Sequence, residues 1–70
     1  MKFDQSIFSA RLRGKRAELD ITQQELADRA GVSQAAIQSY ENDSYAPNAD
    51  KLCALADALG TTPGYLLGWD

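Results

Sequence analysis

The chain has 70 residues, a mass of 7.6 kDa and a formal net charge of −3, from seven Lys and Arg against ten Asp and Glu. This length predicts one small domain over residues 1–70, and the acidic balance argues against a polycation that coats nucleic acid or anionic membranes. The lack of His and the single cysteine, Cys53, exclude a His general base, an internal disulfide and a Cys-cluster zinc site. The composition favours a binding module over an enzyme, and no cofactor or metal is expected.

The charges are unevenly distributed. Residues 1–33 carry a net charge of +1 and residues 34–70 a net charge of −4. Four of the seven basic residues fall within six positions, at Arg11, Arg13, Lys15 and Arg16. This group is either one solvated helix face or a small patch that faces an anion.

The sequence carries no sign of a membrane or export signal. No apolar targeting segment is present at the N-terminus, and no stretch approaches the ~20 apolar residues that a membrane span needs. An unpaired cysteine without a signal peptide fits a reducing compartment. We therefore expect a cytoplasmic protein.

The first two helices are predicted by apolar spacing and by a capping motif. Phe8, Leu12 and Leu19 lie on one stripe at helical spacing and predict a buried face of a helix over residues 6–19. Asp20 and Ile21 break that pattern. Thr22-Gln23-Gln24-Glu25 has the spacing of a capping box and predicts a second helix over residues 23–30, which ends at Gly31.

Caps and helix breakers predict three more helices, namely residues 34–42 after Ser33, residues 49–59 after Asn48, and residues 64–67 after Thr62-Pro63. Cys53 is expected to be half-buried on the fourth of these helices. No run alternates at period two for long enough to predict a strand. The fold class is therefore all-α, a compact bundle of five short helices.

Residues 22–42 carry the functional information. Two helices are joined by Gly31-Val32-Ser33, with the small Ala27 in the first and the branched Ile37 in the second. A small residue lets the two backbones approach, glycine makes the turn, and one branched residue fixes the second helix to the core. This is helix-turn-helix spacing, in which the second helix is presented to a DNA major groove.

The chain resembles the phage lambda repressor/Cro-like helix-turn-helix proteins (XRE-type transcriptional regulators) over about residues 6–68. The residues that carry this resemblance are Thr22-Gln23-Gln24-Glu25-Leu26-Ala27, Gly31-Val32-Ser33-Gln34, Ile37, Tyr40-Glu41-Asn42, Pro47, Leu52, Leu55-Ala56, Ala58-Leu59-Gly60 and Tyr65-Leu66-Leu67. The resemblance implies a five-helix lambda repressor-like DNA-binding domain that binds double-stranded DNA.

The resemblance also implies roles for individual residues. Base-reading positions are Gln34, Ala35, Gln38 and Ser39; a Gln amide can bond adenine N6 and N7 together, and an Ala methyl can contact thymine. Phosphate-binding positions are Gln23, Ser33 and Asn42, followed by Ser44 and Tyr45 in the next loop. Arg11, Arg13 and Lys15 are expected to add to these phosphate contacts, because relatives carry basic residues where this chain has Asp43-Ser44-Tyr45-Ala46.

Arg16 and Glu41 match a pair that bridges the first helix to the recognition helix in relatives. The resemblance implies that this ion pair aims the recognition helix, whereas the alternative is two separate surface charges. Asp43 departs from the family pattern; it can take a left-handed conformation, but it carries negative charge toward DNA phosphates.

The C-terminal apolar residues Tyr65, Leu66 and Trp69 form a candidate homodimer surface; alternatively, the Leu residues close the core and Trp69 packs over it.

The function predicted is a sequence-specific DNA-binding transcriptional regulator, a repressor that occupies an operator as a dimer. A second hypothesis is an antitoxin-like module whose main contact is another protein. The acidic second half of the chain and the weakly basic loop motivate that alternative.

Overall fold

The computed structural model describes residues 2–69, which form five α-helices joined by short turns: α1 (Gln5–Glu18), α2 (Gln23–Ala30), α3 (Gln34–Glu41), α4 (Ala49–Leu59) and α5 (Pro63–Leu67). No strand is present in this part of the chain. The all-α prediction is confirmed, and the helix ends lie within about one residue of the predicted ones. None of the helices within residues 2–69 is long and apolar enough to cross a membrane.

Each helix begins at a side chain that accepts hydrogen bonds from backbone amides of the first turn. These capping residues are Asp4, Thr22, Ser33, Asn48 and Thr62. At α2 the full capping box forms, since the Thr22 hydroxyl accepts from the Glu25 amide at 3.0 Å and the Glu25 carboxylate accepts from the Thr22 amide at 2.8 Å. Such caps each stabilise a helix by ~1 kcal/mol, so the starts of the helices are fixed locally.

The helices also end in a common way. A residue with positive φ follows each helix, and the next residue donates its amide to a carbonyl five positions back. Glycine fills this position after α2, α4 and α5, but Asp20 (φ 55°) and Asp43 (φ 65°) fill it after α1 and α3. Asp43 therefore adopts the left-handed conformation that the sequence allowed it.

One core joins all five helices. Its buried hydrophobic residues are Phe8, Leu12, Ile21, Leu26, Ala27, Ala30, Ile37, Tyr40, Leu55, Ala56, Leu59 and Leu66. The expected burial of Leu19 is wrong: α1 ends one residue earlier, and the Leu19 side chain is 43% exposed. The left-handed turn at Asp20 directs the chain back, so Ile21 enters the core in place of Leu19.

Two further expectations about burial are wrong. Cys53 is exposed rather than half-buried, because α4 packs its Leu52, Leu55 and Leu59 face on the core and Cys53 lies off that stripe. Leu66, offered as part of a dimer surface, is fully buried in the core. It can contribute no surface to a partner, which leaves Tyr65 and Trp69 of that set.

Candidate nucleic-acid interface

The turn between α2 and α3 brings the two helices into close contact. Ala27 is fully buried between them, and its carbonyl accepts from the Val32 amide at 3.0 Å across the left-handed Gly31 (φ 70°). Ile37 of α3 is also fully buried and fixes that helix to the core. This arrangement leaves the opposite side of α3 on the surface.

The outward side of α3 carries the four residues predicted to read bases. Ala35 and Gln38 are exposed, and Gln34 and Ser39 are partly exposed. The inward side is formed by Ile37, Tyr40 and Glu41. The structure therefore brings the predicted base-reading residues together on one accessible helix face.

The side chain of Gln34 is held by a residue of α2. Its Nε2 donates a hydrogen bond to Oε1 of Gln23 at 2.7 Å. The Nε2 of Gln23 in turn donates to Oε1 of Glu41 at 3.1 Å. Gln23 therefore links the first residue of α3 to the last one, and it fixes the plane of the Gln34 amide.

Glu41 is the acceptor at the centre of this network, with only 5% of its surface exposed. Arg16 donates to it from Nε at 2.7 Å and from Nη2 at 3.1 Å, and Arg16 Nη1 donates to the Ile21 carbonyl at 2.9 Å. The hydrogen bonds with Glu41 raise the pKa of Arg16 above its ordinary value, against the opposing effect of burial. The structure thus places the predicted Arg16–Glu41 pair in contact, with α3 anchored to α1 through it.

The sequence indicated the ion pair but not the role of Gln23 within it. Gln23 was predicted to bind phosphate, and it lies at the N-terminus of α2 where such a contact is possible. Its side-chain bonds to Gln34 and Glu41 were missed. Two Gln residues eleven positions apart carry no local signal of contact, because only the α2–α3 turn brings them together.

The loop after α3 presents the other predicted phosphate ligands. Asn42, Asp43, Ser44 and Tyr45 are all exposed. The Asn42 side-chain oxygen accepts from the Ser44 amide at 3.1 Å, so the Nδ2 hydrogens of Asn42 take no part in that bond. The Tyr45 ring is 63% exposed and stacks on Tyr40, with 6.1 Å between ring centroids and 10° between planes.

The basic residues of α1 do not form one patch. Arg11 donates to the Tyr65 carbonyl at 2.7 Å and lies over the Tyr65 ring, and Lys15 also lies near that ring and 3.7 Å from Glu18. Arg13 instead donates to the Glu41 carbonyl at the end of α3. Only Arg13 of these three is therefore placed beside the recognition helix, while Arg11 and Lys15 lie against α5.

Trp69 lies beside the start of α1, whereas the Tyr65 ring lies against Arg11 and Lys15 further along that helix. The Trp69 indole donates to the Lys2 carbonyl at 3.4 Å and remains 43% exposed. Phe3 and Ile7 are also exposed, and Ile7 lies against Gly68, the residue before Trp69. Among residues 2–69, no set of Cys, Asp and Glu side chains is arranged to hold a metal ion.

A helix that ends in a tight turn, followed by a second helix with its polar face outward, defines a helix-turn-helix protein. The chain belongs to the HTH_3 helix-turn-helix family, whose sequence model matches residues 12–66. The resemblance to lambda repressor-like regulators is thereby confirmed. Two relatives of the chain, described next, are a repressor and a transcriptional regulator, in agreement with the expectation that the chain is not an enzyme.

Similar proteins include the repressor protein C2 of Salmonella phage P22, which is 39% identical over 64 residues, and the uncharacterized HTH-type transcriptional regulator YobD of Bacillus subtilis, 32% identical over 62 residues. These matches cover 91% and 89% of this chain, but only 30% and 55% of the two relatives. The chain thus spans about a third to half of the relatives' length.

Solved structures agree with this family assignment. The P22 c2 repressor, crystallised with a synthetic operator, superposes with a TM-score of 0.86 at 40% identity, covering 90% of this chain and 96% of the other. The restriction-modification controller protein C.AhdI of Aeromonas hydrophila gives a TM-score of 0.85 at 27% identity, with the same coverage. The five-helix architecture is therefore that of the repressor DNA-binding domains.

Proposed function

We propose that residues 1–70 act as one domain that binds double-stranded DNA in the cytoplasm and represses transcription by occupying an operator. The observation that carries the proposal is the outward face of α3, on which the Gln34 amide is held in place by Gln23. The P22 c2 repressor, 40% identical, was crystallised with an operator, which supports the same role here.

Gln34 is the principal base-reading residue in this proposal. One Nε2 hydrogen bonds to Gln23, so the second Nε2 hydrogen and Oε1 serve adenine N7 and N6. Because the amide is already oriented, little side-chain entropy is lost on binding. Gln38 and Ser39 supply further polar contacts on the same face, and the Ala35 methyl contacts a thymine methyl.

Phosphate contacts lie on both sides of this face. On one side lie the N-terminus of α2, with Gln23, and Ser33, the N-cap of α3. On the other side lie Asn42, Ser44 and Tyr45. Arg13 adds a positive charge at the C-terminal end of α3. Arg11 and Lys15 can bind phosphate only if the DNA backbone also passes close to α5. Because few cations lie near α3, the DNA affinity should depend weakly on salt. Each neutralised phosphate contributes about −0.9 to the slope of the logarithm of the binding constant against the logarithm of the salt concentration.

Operator occupancy is proposed to need a homodimer, because one domain with so few cationic contacts binds DNA weakly. The surface proposed to meet a second copy is formed by the exposed Trp69, Ile7 and Phe3, and Tyr65 extends it further along α1. Sedimentation of the wild type and of Trp69→Ser with a two-half-site duplex checks this. If two copies bind the duplex cooperatively and Trp69→Ser abolishes that cooperativity, the homodimer is supported. A stable complex with another protein in the absence of DNA would instead support the antitoxin-like alternative.

Selection of bound sequences from a random duplex pool, at two salt concentrations, tests the proposal as a whole. The wild type should enrich one motif with half-sites ~10 bp apart. Gln34→Ala should relax a single base position, while the control Gln24→Ala on the exposed side of α2 should enrich the unchanged motif. Recovery of random sequences by the wild type would reject sequence-specific binding.

A further inference from the structure

One face of α1 contacts the C-terminal end of α3 and the loop that follows it. Gln5, Ser9, Arg13 and Arg16 are spaced four, four and three residues apart, and therefore share one side of α1. Arg13 and Arg16 bond the carbonyl and the carboxylate of Glu41. Gln5 and Ser9 extend this contact beyond the ion pair, toward the loop.

The contacts of Gln5 and Ser9 form a short relay. The Ser9 hydroxyl donates to the Tyr40 carbonyl at 2.6 Å, and Ser9 is fully buried. The Gln5 Nε2 donates to the Ser9 hydroxyl at 3.2 Å and to the Tyr45 carbonyl at 3.0 Å. Since the single hydroxyl hydrogen of Ser9 goes to Tyr40, Ser9 accepts from Gln5, and every donor in the relay is used.

The Ser9 end of this relay binds a backbone carbonyl, that of Tyr40, near the end of α3. The last carbonyls of a helix have no amide from the next turn, and a buried one is costly to leave unpaired. Ser9 supplies the donor for Tyr40, and Gln5 carries the same support to the exposed loop at Tyr45. The stacking of the Tyr45 ring on the Tyr40 ring is a second contact between this loop and α3.

We propose that Gln5 and Ser9 are positioning residues for DNA binding: they fix the loop of residues 42–45 so that its amide and hydroxyl groups meet the phosphate backbone. The inference rests on the proposed function. It explains how a loop without basic residues can contribute, since a preordered loop loses less conformational entropy on binding. Neither residue touches DNA in this account; both act through Tyr40 and Tyr45.

Gln5→Ala tests this role, because Gln5 is only partly buried and the variant retains the core. Ser6→Ala, one residue along on the exposed side of the same turn, is the matched control. Loss of the two donated bonds should lower the affinity for the selected duplex about fivefold to tenfold. It should also speed hydrogen exchange at the Ser44 amide in the absence of DNA, in conditions where both variants are fully folded. Ser6→Ala should change neither quantity.

A double-mutant cycle with Tyr45→Phe separates positioning from simple stabilisation. If Gln5 acts through the loop, Gln5→Ala should cost less affinity once the Tyr45 hydroxyl is absent. Additive losses, or a Gln5→Ala affinity equal to that of Ser6→Ala, would overturn the inference and leave the proposed function intact. A wild-type domain that binds no duplex would overturn both.

Discussion

Removing either partner of the Arg16–Glu41 pair should destabilise the domain, but to different degrees. Glu41 is 5% exposed and Arg16 is 25% exposed at the side chain, so a carboxylate left alone is far less hydrated than a guanidinium left alone. Arg16→Met leaves Glu41 with only the Gln23 amide and should cost ~3–4 kcal/mol, within the range for breaking a buried pair. Glu41→Gln keeps an acceptor for Arg16 and should cost only ~1–2 kcal/mol.

The double variant Arg16→Met/Glu41→Leu separates stability from DNA binding. Replacing a buried pair by apolar residues of similar size is often close to neutral, so its stability should return to within ~1 kcal/mol of the wild type. Its affinity for the selected duplex should nevertheless stay about tenfold low, because Gln23 has lost its acceptor and holds Gln34 less firmly.

Urea unfolding followed by circular dichroism measures the stabilities, and fluorescence anisotropy with a labelled duplex measures the affinities. A domain of 70 residues has an unfolding free energy of roughly 4–10 kcal/mol, so the losses expected for the single variants are measurable at low temperature. Equal losses below 1 kcal/mol for both single variants would show that the burial of Glu41 does not determine the cost of breaking the pair. A double variant that binds DNA like the wild type would refute the proposed coupling of the ion pair to Gln34.

Three further predictions concern single positions. Asp43→Asn keeps a residue that tolerates positive φ and removes a negative charge near phosphate, so it should raise the DNA affinity about twofold at low salt. The control Asp57→Asn on α4 should leave the affinity unchanged. An unchanged affinity of Asp43→Asn would place the loop away from DNA. Gln34→Ala should cost ~1–3 kcal/mol of binding free energy on the selected duplex and much less on a random one, and equal losses on both would contradict base reading. Burial, with a smaller contribution from Tyr45, raises the pKa of Tyr40 above its ordinary value, so the folded state favours the neutral phenol. The stability that this adds is complete below the ordinary pKa of a tyrosine and is lost as the pH rises through the raised pKa. In that alkaline range the unfolding free energy of Tyr40→Phe should fall less steeply than that of the wild type.

The sequence predicted the helices well because their starts and ends depend on neighbouring residues. Thr22 and Glu25 form their capping box without help from the rest of the molecule, and the turn at Gly31 is equally local. Asp4 was missed as the cap of α1, although Asp is a common residue in that role. The exchange of Leu19 for Ile21 in the core could not be predicted, because it depends on the left-handed turn at Asp20.

The candidate site was predicted in composition but not in connectivity. The family resemblance placed Gln34 on the outward face of α3, and helical spacing placed Gln38 one turn after it. The bonds that aim Gln34 join three helices, and such contacts are created only by tertiary packing. The basic cluster of α1 shows the same limit: Arg11 and Arg13 are two positions apart and therefore lie on different sides of one helix, against α5 and α3 respectively.

An NMR titration of the domain with the duplex obtained by selection tests whether α3 is a recognition helix held by Gln23. We expect the largest shifts at the start of α2, along the outward face of α3 and in the loop of residues 42–45. The side-chain amides of Gln23 and Gln34 should shift together, since they share a hydrogen bond. Shifts confined to α4 and α5, with those two amides unmoved, would contradict a recognition helix aimed by Gln23, Glu41 and Arg16.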